Sequence, residues 1–145
     1  MSESKVRIVP DVNVIISAII APSGTPGRIY DAWKRRDIQI ITSPVIISKT
    51  LEVIQRPHIQ NTFSLTQADF QNLKSLLEHR TLLTPHLLDL QVVKQNPEDD
   101  TIIIAAVESN ADCIVSGDKH LKELGSYQNI PILSPLEFVT QHNIV

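Results

Sequence analysis

The chain has a single cysteine, Cys113. It can form no internal disulfide, and a zinc site built on thiolates lacks its second soft ligand. Cys113 sits in the apolar run Ala111 to Val115 and is expected to be a buried structural thiol. Positive charge is also in short supply: 13 Lys and Arg stand against 16 Asp and Glu, for a formal net charge of −3. That balance excludes a protein that coats nucleic acid with a basic surface, but not an enzyme that grips it locally through Lys34, Arg35, Arg36, Arg56, Lys119 or Lys122. Long hydrophobic runs are missing as well. The stretch Val12 to Ala21 is too short to span a bilayer. Met1-Ser2-Glu3-Ser4-Lys5-Val6 leads almost directly into a strand, without the apolar core and cleavage site of a signal peptide, so a cytoplasmic protein without membrane association is expected. The five histidines form no His-x-x-x-His pair, no serine lies in an elbow motif, and no phosphate-binding Gly-x-x-x-x-Gly-Lys-Ser/Thr loop occurs. Triad hydrolysis and nucleotide hydrolysis are both unsupported.

What remains is an ordinary globular composition, 42% hydrophobic and 20% charged over 145 residues, which fits one domain spanning residues 1–145. A chain of this length buries roughly 68–70% of the surface its unfolded form exposes, so it needs no disulfide or metal to fold. Val6, Ile8 and Val9 form a β-branched run that reads as a buried strand, followed by Asp11 and an apolar helix from Val12. Pro22 to Gly27 reads as a turn, Arg28 to Arg36 as a helix with Ile29, Ala32 and Trp33 on one face, and Ile38 to Thr42 as a strand. Ser43-Pro44 starts a helix that Pro57 stops after Arg56, and Thr66 to Arg80 is helical. Thr81 to Gln95 is ambiguous, with two short strands around Pro85 as one reading. Asp99 to Asn110 reads as helix, Asp112 to Ser116 as strand, the segment around Leu121 and Leu124 as a short helix, Ile130 to Leu133 as strand and Pro135 to His142 as a closing helix. Strands alternating with helices predict an α/β fold, a three-layer α/β/α sandwich around a central parallel sheet.

In such a sheet ligands bind at the carboxyl ends of the strands, where Asp11 and Asp118 both fall. Asp99 and Asp100 open a helix nearby in the pattern. Each acid alone has a modest explanation. Asp11 or Asp118 as a helix cap contributes about 1 kcal/mol, and an acid in a first helical turn about 0.3–1 kcal/mol. Acids gathered at one edge are different, since two carboxylates about 4 Å apart repel by about 4 kcal/mol at an effective dielectric near 20. A cluster of that kind survives by raising a pKa or by binding a cation, and oxygen-only ligands select Mg²⁺ or Mn²⁺. The implied chemistry is phosphodiester hydrolysis. Asn13 and Ser17, four residues apart on the first helix, face the same way and are candidates to orient Asp11. Glu52 falls with Ser48, Lys49 and Arg56 on the polar side of its helix, where a solvated face is the default and a crevice is not excluded.

Taken in order, Val9-Pro10-Asp11-Val12-Asn13, Leu51-Glu52-Val53-Ile54-Gln55-Arg56-Pro57, Asn96-Pro97-Glu98-Asp99-Asp100, Val115-Ser116-Gly117-Asp118 and Leu133-Ser134-Pro135 cover nearly the whole chain. In that order and spacing the chain resembles the PIN-domain ribonucleases, specifically the small single-domain group described as toxin components of toxin–antitoxin systems. The resemblance implies a PIN-like α/β/α sandwich, an acidic site for Mg²⁺ or Mn²⁺, cleavage of RNA, pairing as homodimers and inhibition by a small antitoxin protein. Residue by residue, Asp11, Glu52, Asp99 and Asp118 match the acidic quartet, as metal ligands and catalytic groups, and Asn13 and Ser17 match the supporting polar positions. Asn96 stands where this group more often has an acid and Glu98 replaces an aspartate, so Asp99 and Asp100 can exchange roles. The leading expectation is a metal-dependent endoribonuclease. The alternatives are a non-catalytic RNA- or antitoxin-binding module whose acids are structural, and an aspartyl-nucleophile phosphatase, which usually wants a second acid where Asn13 stands.

Overall fold

The computed structural model describes residues 5–145, so the reading of Met1 to Ser4 lies outside the described residues. The chain runs β1 (Val6–Pro10), α1 (Val12–Ile20), α2 (Thr25–Lys34), β2 (Ile38–Thr42), α3 (Pro44–Ile54), α4 (Pro57–Thr62), α5 (Gln67–His79), β3 (Leu82–Leu83), α6 (Asp99–Ser109), β4 (Cys113–Val115), α7 (Lys119–Leu124), β5 (Ser126–Tyr127), β6 (Ile130–Leu133) and α8 (Pro135–Gln141). The strands form one sheet in the order β3-β2-β1-β4-β6-β5, parallel except for β5.

Side chains alternate across the sheet and build a core on each face. Ile8, Ile38, Ile40, Cys113, Val115 and Leu133 point to one face, where α1, α2, α5 and α8 contribute Ile15, Trp33, Leu73 and Phe138. Val9, Ile41, Ile114 and Ile132 point to the other, where α6 and α7 contribute Ile103, Ala106 and Leu121. This is the three-layer sandwich that the alternation of elements predicts. Cys113 is buried, and desolvation, with a smaller effect from Asp112, pushes its thiol up to about 12. Among the described residues no helix is long and apolar enough to cross a membrane.

Three local expectations are corrected and one strand is added. Helix α2 begins at Thr25, not Arg28, with Pro26 in its first turn, where a missing N–H costs nothing. Gly27 lies inside that helix, and only glycine fits there because a Cβ would lie 1.9 Å from the Pro22 carbonyl oxygen. Pro57 does more than stop α3. It opens α4, again from the first turn. The region Thr81 to Gln95 holds only β3, because its amides are taken by side chains of α6. Glu108 accepts from the amides of His86, Leu87 and Leu88 at 2.6–3.0 Å, and Asp100 accepts from those of Val92 and Val93 at 2.9 Å. Backbone donors met in this way need no strand partner. Finally, β5 and β6 make an antiparallel hairpin across Gln128 and Asn129, whose φ angles of 49° and 66° fit the tight turn that matches strand twist.

Candidate active site

Parallel pairing brings the carboxyl ends of β1 and β4 side by side. The Asp11 amide donates to the Val115 carbonyl at 3.0 Å, which sets Asp11 against Ser116 although 105 residues separate them. Asp11 is 6% exposed and caps α1, one carboxylate oxygen accepting from the Val14 amide at 2.9 Å and the other from the Ser116 hydroxyl. The Ser116 oxygen also accepts from the Asp118 amide at 2.9 Å. Asp118 in turn caps α7, accepting from the His120 and Leu121 amides at 2.9 and 3.1 Å. One hydroxyl therefore fixes two of the acids relative to each other.

Asp99 behaves differently. It opens α6, makes no cap hydrogen bond, is 8% exposed, and its Oδ2 is buried without a donor among the described residues. Burial raises its pKa to about 7, helped by the hydrogen bond its protonated carboxyl gives Asp118 and by repulsion from Asp118 and Asp11, while the Asn96 side chain works in the opposite direction. Asp11 is also raised, chiefly by burial and despite the Ser116 hydrogen bond. Partial burial pushes Asp118 up, but the Leu121 amide, the Asp99 carboxyl and the His120 amide together hold it below its usual range. This is the divergence expected of crowded carboxylates.

The three acids open into a cavity of about 340 Å³, with Asn13, Asn96 and Glu98 on the same lining and Lys49 and Arg56 facing in from α3 and its end. Glu52 does not line it. Its carboxylate is held by the Arg56 guanidinium at 3.0–3.2 Å and lies 3.8 Å from Lys49, which is nearer to Glu98 at 3.3 Å. Ser17 lies outside the cavity too, and no side-chain hydrogen bond from Asn13 or Ser17 reaches Asp11 among the described residues. Asp100 is turned away toward Val92 and Val93. Ser116 and Asn96 are the site residues that sequence reasoning passed over as partners of the acids. The available signal was a hydroxyl two residues before Asp118 at a strand end, and an amide three residues before Asp99.

No group of three or more His, Cys, Asp or Glu residues is drawn together at metal-holding geometry among the described residues. The donor set nonetheless fits a hard divalent cation: oxygen-only, crowded, and with one buried carboxylate oxygen lacking any donor.

The chain is 30% identical over 124 residues to an uncharacterized protein of Methanocaldococcus jannaschii, covering 86% of this chain and 78% of that protein. Among solved structures it is similar to a chain in the crystal structure of VapBC2 from Rickettsia felis bound to a DNA fragment from their promoter, with a TM-score of 0.52, 12% identity, and coverage of 88% of this chain and 98% of that one. A family model described as PIN domain matches residues 7–120, from β1 into α7, and so takes in Asp11, Asp99 and Asp118 together. By that match the chain belongs to the PIN domain family, a family of nucleases.

Proposed function

We propose that the chain is a metal-dependent endoribonuclease that hydrolyses RNA phosphodiester bonds, and that it acts as the toxin of a toxin–antitoxin pair. The carrying observation is Asp99. Asp11 and Asp118 each have a capping role that a purely structural account would accept, whereas Asp99 caps nothing and leaves a buried oxygen without a donor. An arrangement of that kind costs folding free energy unless a proton or a cation fills it.

In this reading Asp11, Asp99 and Asp118 hold Mg²⁺ or Mn²⁺. A bound ion of that class lowers the pKa of an attacking water and neutralises charge on the phosphodiester. The protein supplies the positions. Ser116 fixes Asp11 and the start of α7, Asn96 lies on the same lining as Asp99, and Lys49 and Arg56 bring positive charge to the wall where the anionic substrate would enter. Glu52 enters through the family resemblance, as a ligand or water-orienting base, and reaching that role requires it to leave Arg56 and Lys49. A small antitoxin, a homodimer and a cytoplasmic location belong to the same proposal; the VapBC2 likeness supports the antitoxin and family membership the location.

Cleavage of a mixed panel of labelled RNAs with Mn²⁺, Mg²⁺ or EDTA tests the proposal, with Asp11→Asn run in parallel. Cutting that needs the metal and vanishes in the variant is expected. Cutting by Asp11→Asn equal to wild type would remove the proposal. No cutting, and no rise in melting temperature with Mn²⁺, would favour the binding module instead, because a ligand at 100 times its dissociation constant adds about 2.7 kcal/mol.

A further inference from the structure

The N-terminal ends of β1, β2 and β3 lie on the edge of the sheet opposite the carboxylates, since these three adjacent strands are parallel. Lys5 precedes β1, Arg36 precedes β2, and Arg80 and Thr81 precede β3. Together with His79 and Trp33 they line a cavity of about 240 Å³ whose lining contains no acid among the described residues. In a chain with net charge −3, that concentration of one sign stands out.

The partners of the cations sharpen the point. Lys34, Arg35, Lys49, Arg56, Lys119 and Lys122 each have a carboxylate within 4.0 Å. Asp37 and Glu78, the acids adjacent in sequence to lining residues, do not line it, and Asp37 is held by Arg35 at 2.9 Å. The side chains of Lys5, Arg36 and His79 make no hydrogen bond or ion pair with any described residue, and all three are exposed. Arg80 is fixed in place. Its Nη2 donates to the Trp33 and Lys34 carbonyls at 3.1 Å, and the Trp33 indole donates to the Arg80 carbonyl at 2.8 Å. That reciprocal lock holds the half-buried Arg80 side chain in place on the same lining as Lys5 and Arg36, which have no partner among the described residues.

We propose that this cavity is a phosphate-binding site, separate from the acidic cavity. Two guanidinium groups and an ammonium match the charge and acceptor geometry of a phosphate group. The phosphate can be carried on a single-stranded RNA backbone or on a small phosphorylated molecule, and the recognition chemistry is the same for both. The site goes beyond the nuclease reading and does not depend on it.

The test uses the full chain in EDTA at low salt, so that cleavage plays no part, with two probes: inorganic phosphate followed by amide chemical shifts, and a short labelled single-stranded RNA followed by anisotropy. Phosphate is expected to shift amides at Lys5, Arg36 to Ile38 and Arg80 to Thr81, and Arg36→Ala to weaken its binding about tenfold. Arg80→Lys, which keeps the charge but loses the fork, is a second probe if removal of Arg80 impairs folding. RNA binding weakened by Arg36→Ala, with the salt slope smaller by about 0.7 for each phosphate no longer neutralised, assigns the site to a nucleic-acid backbone. Phosphate binding weakened in Arg36→Ala with RNA binding unchanged assigns it to a small phosphorylated ligand. Both probes bound equally by wild type, Lys5→Ala, Arg36→Ala and Arg80→Lys would overturn the proposal.

Discussion

The two edges of one parallel sheet carry opposite chemistry. At the carboxyl edge, Asp11, Asp99 and Asp118 crowd into a cavity with their pKa values driven apart, and Asp11 and Asp118 are fixed by short contacts to amides and to Ser116. At the amino edge, Lys5, Arg36 and Arg80 surround a cavity that, among the described residues, has no acid in its lining and leaves two of the three cations without a partner. Repulsion is treated differently at the two ends. Exposed cations are screened by water and cost little when unpaired, whereas buried carboxylates are not screened and must take up a proton or a cation. Under the proposals made above, the acidic edge would take a tightly defined cation and the basic edge a more loosely held anion.

The largest effect that can break this contrast is at Asp99. Its carboxyl ionises near the ordinary 3.8 in the unfolded chain and near 7 in the fold. Between those values the native state keeps a proton that the unfolded state has released, so its contribution to stability falls as pH rises from about 4 to about 7 and levels off above that. In EDTA the melting temperature is expected to drop between about pH 5 and pH 8, and Mn²⁺ to restore it at the higher value. Asp99→Asn should flatten the profile and abolish RNA cleavage. A wild-type profile in that variant would place the strain elsewhere.

Next in size is Ser116→Ala. The hydroxyl accepts from the Asp118 amide and donates to Asp11, so its removal leaves a buried carboxylate oxygen unpartnered. Expected are a loss of about 1–3 kcal/mol in folding stability and a drop of roughly 10- to 100-fold in metal affinity or cleavage rate. Denaturant unfolding alongside metal titration separates the two.

Asp100→Asn sharpens the comparison within one helix turn. Asp99 faces the acidic cavity while Asp100 accepts from two backbone amides. The variant should lose about 1–3 kcal/mol of stability yet keep its Mn²⁺ affinity in titration. Weakened affinity with stability intact would exchange the roles of the two residues. The smallest effect is expected at the basic edge. Arg36→Ala removes an exposed side chain with no partner among the described residues and should leave folding stability within about 0.5 kcal/mol of wild type, measured by urea unfolding.

Much of the frame is legible in residue order. The β-branched runs in Val6 to Pro10 and Ile38 to Thr42 mark strands buried on both faces, and Ser43-Pro44 marks the start of α3. Placing Asp11 and Asp118 at one edge follows from the parallel-sheet rule. The pattern misleads where a side chain replaces a backbone partner or a proline has two meanings. Glu108 and Asp100 hold residues 86–93 without a strand, and Pro57 both ends one helix and opens the next. Neither is visible in hydrophobic periodicity, which reports burial and not hydrogen bonding.

The sequence by itself determined the alternation of strands and helices, the two-sided core and the order of acids that matches the PIN domain family, because these depend on local periodicity and on position along the chain. Only the tertiary structure decided that Ser116 joins Asp11 to Asp118, that Asp99 and not Asp100 faces the cavity, that Glu52 is turned toward Arg56, and that Lys5, Arg36 and Arg80 meet at the far edge. Most of those contacts join residues far apart along the chain. Their geometry is set by how the strands pair and where each helix returns, which no local pattern records.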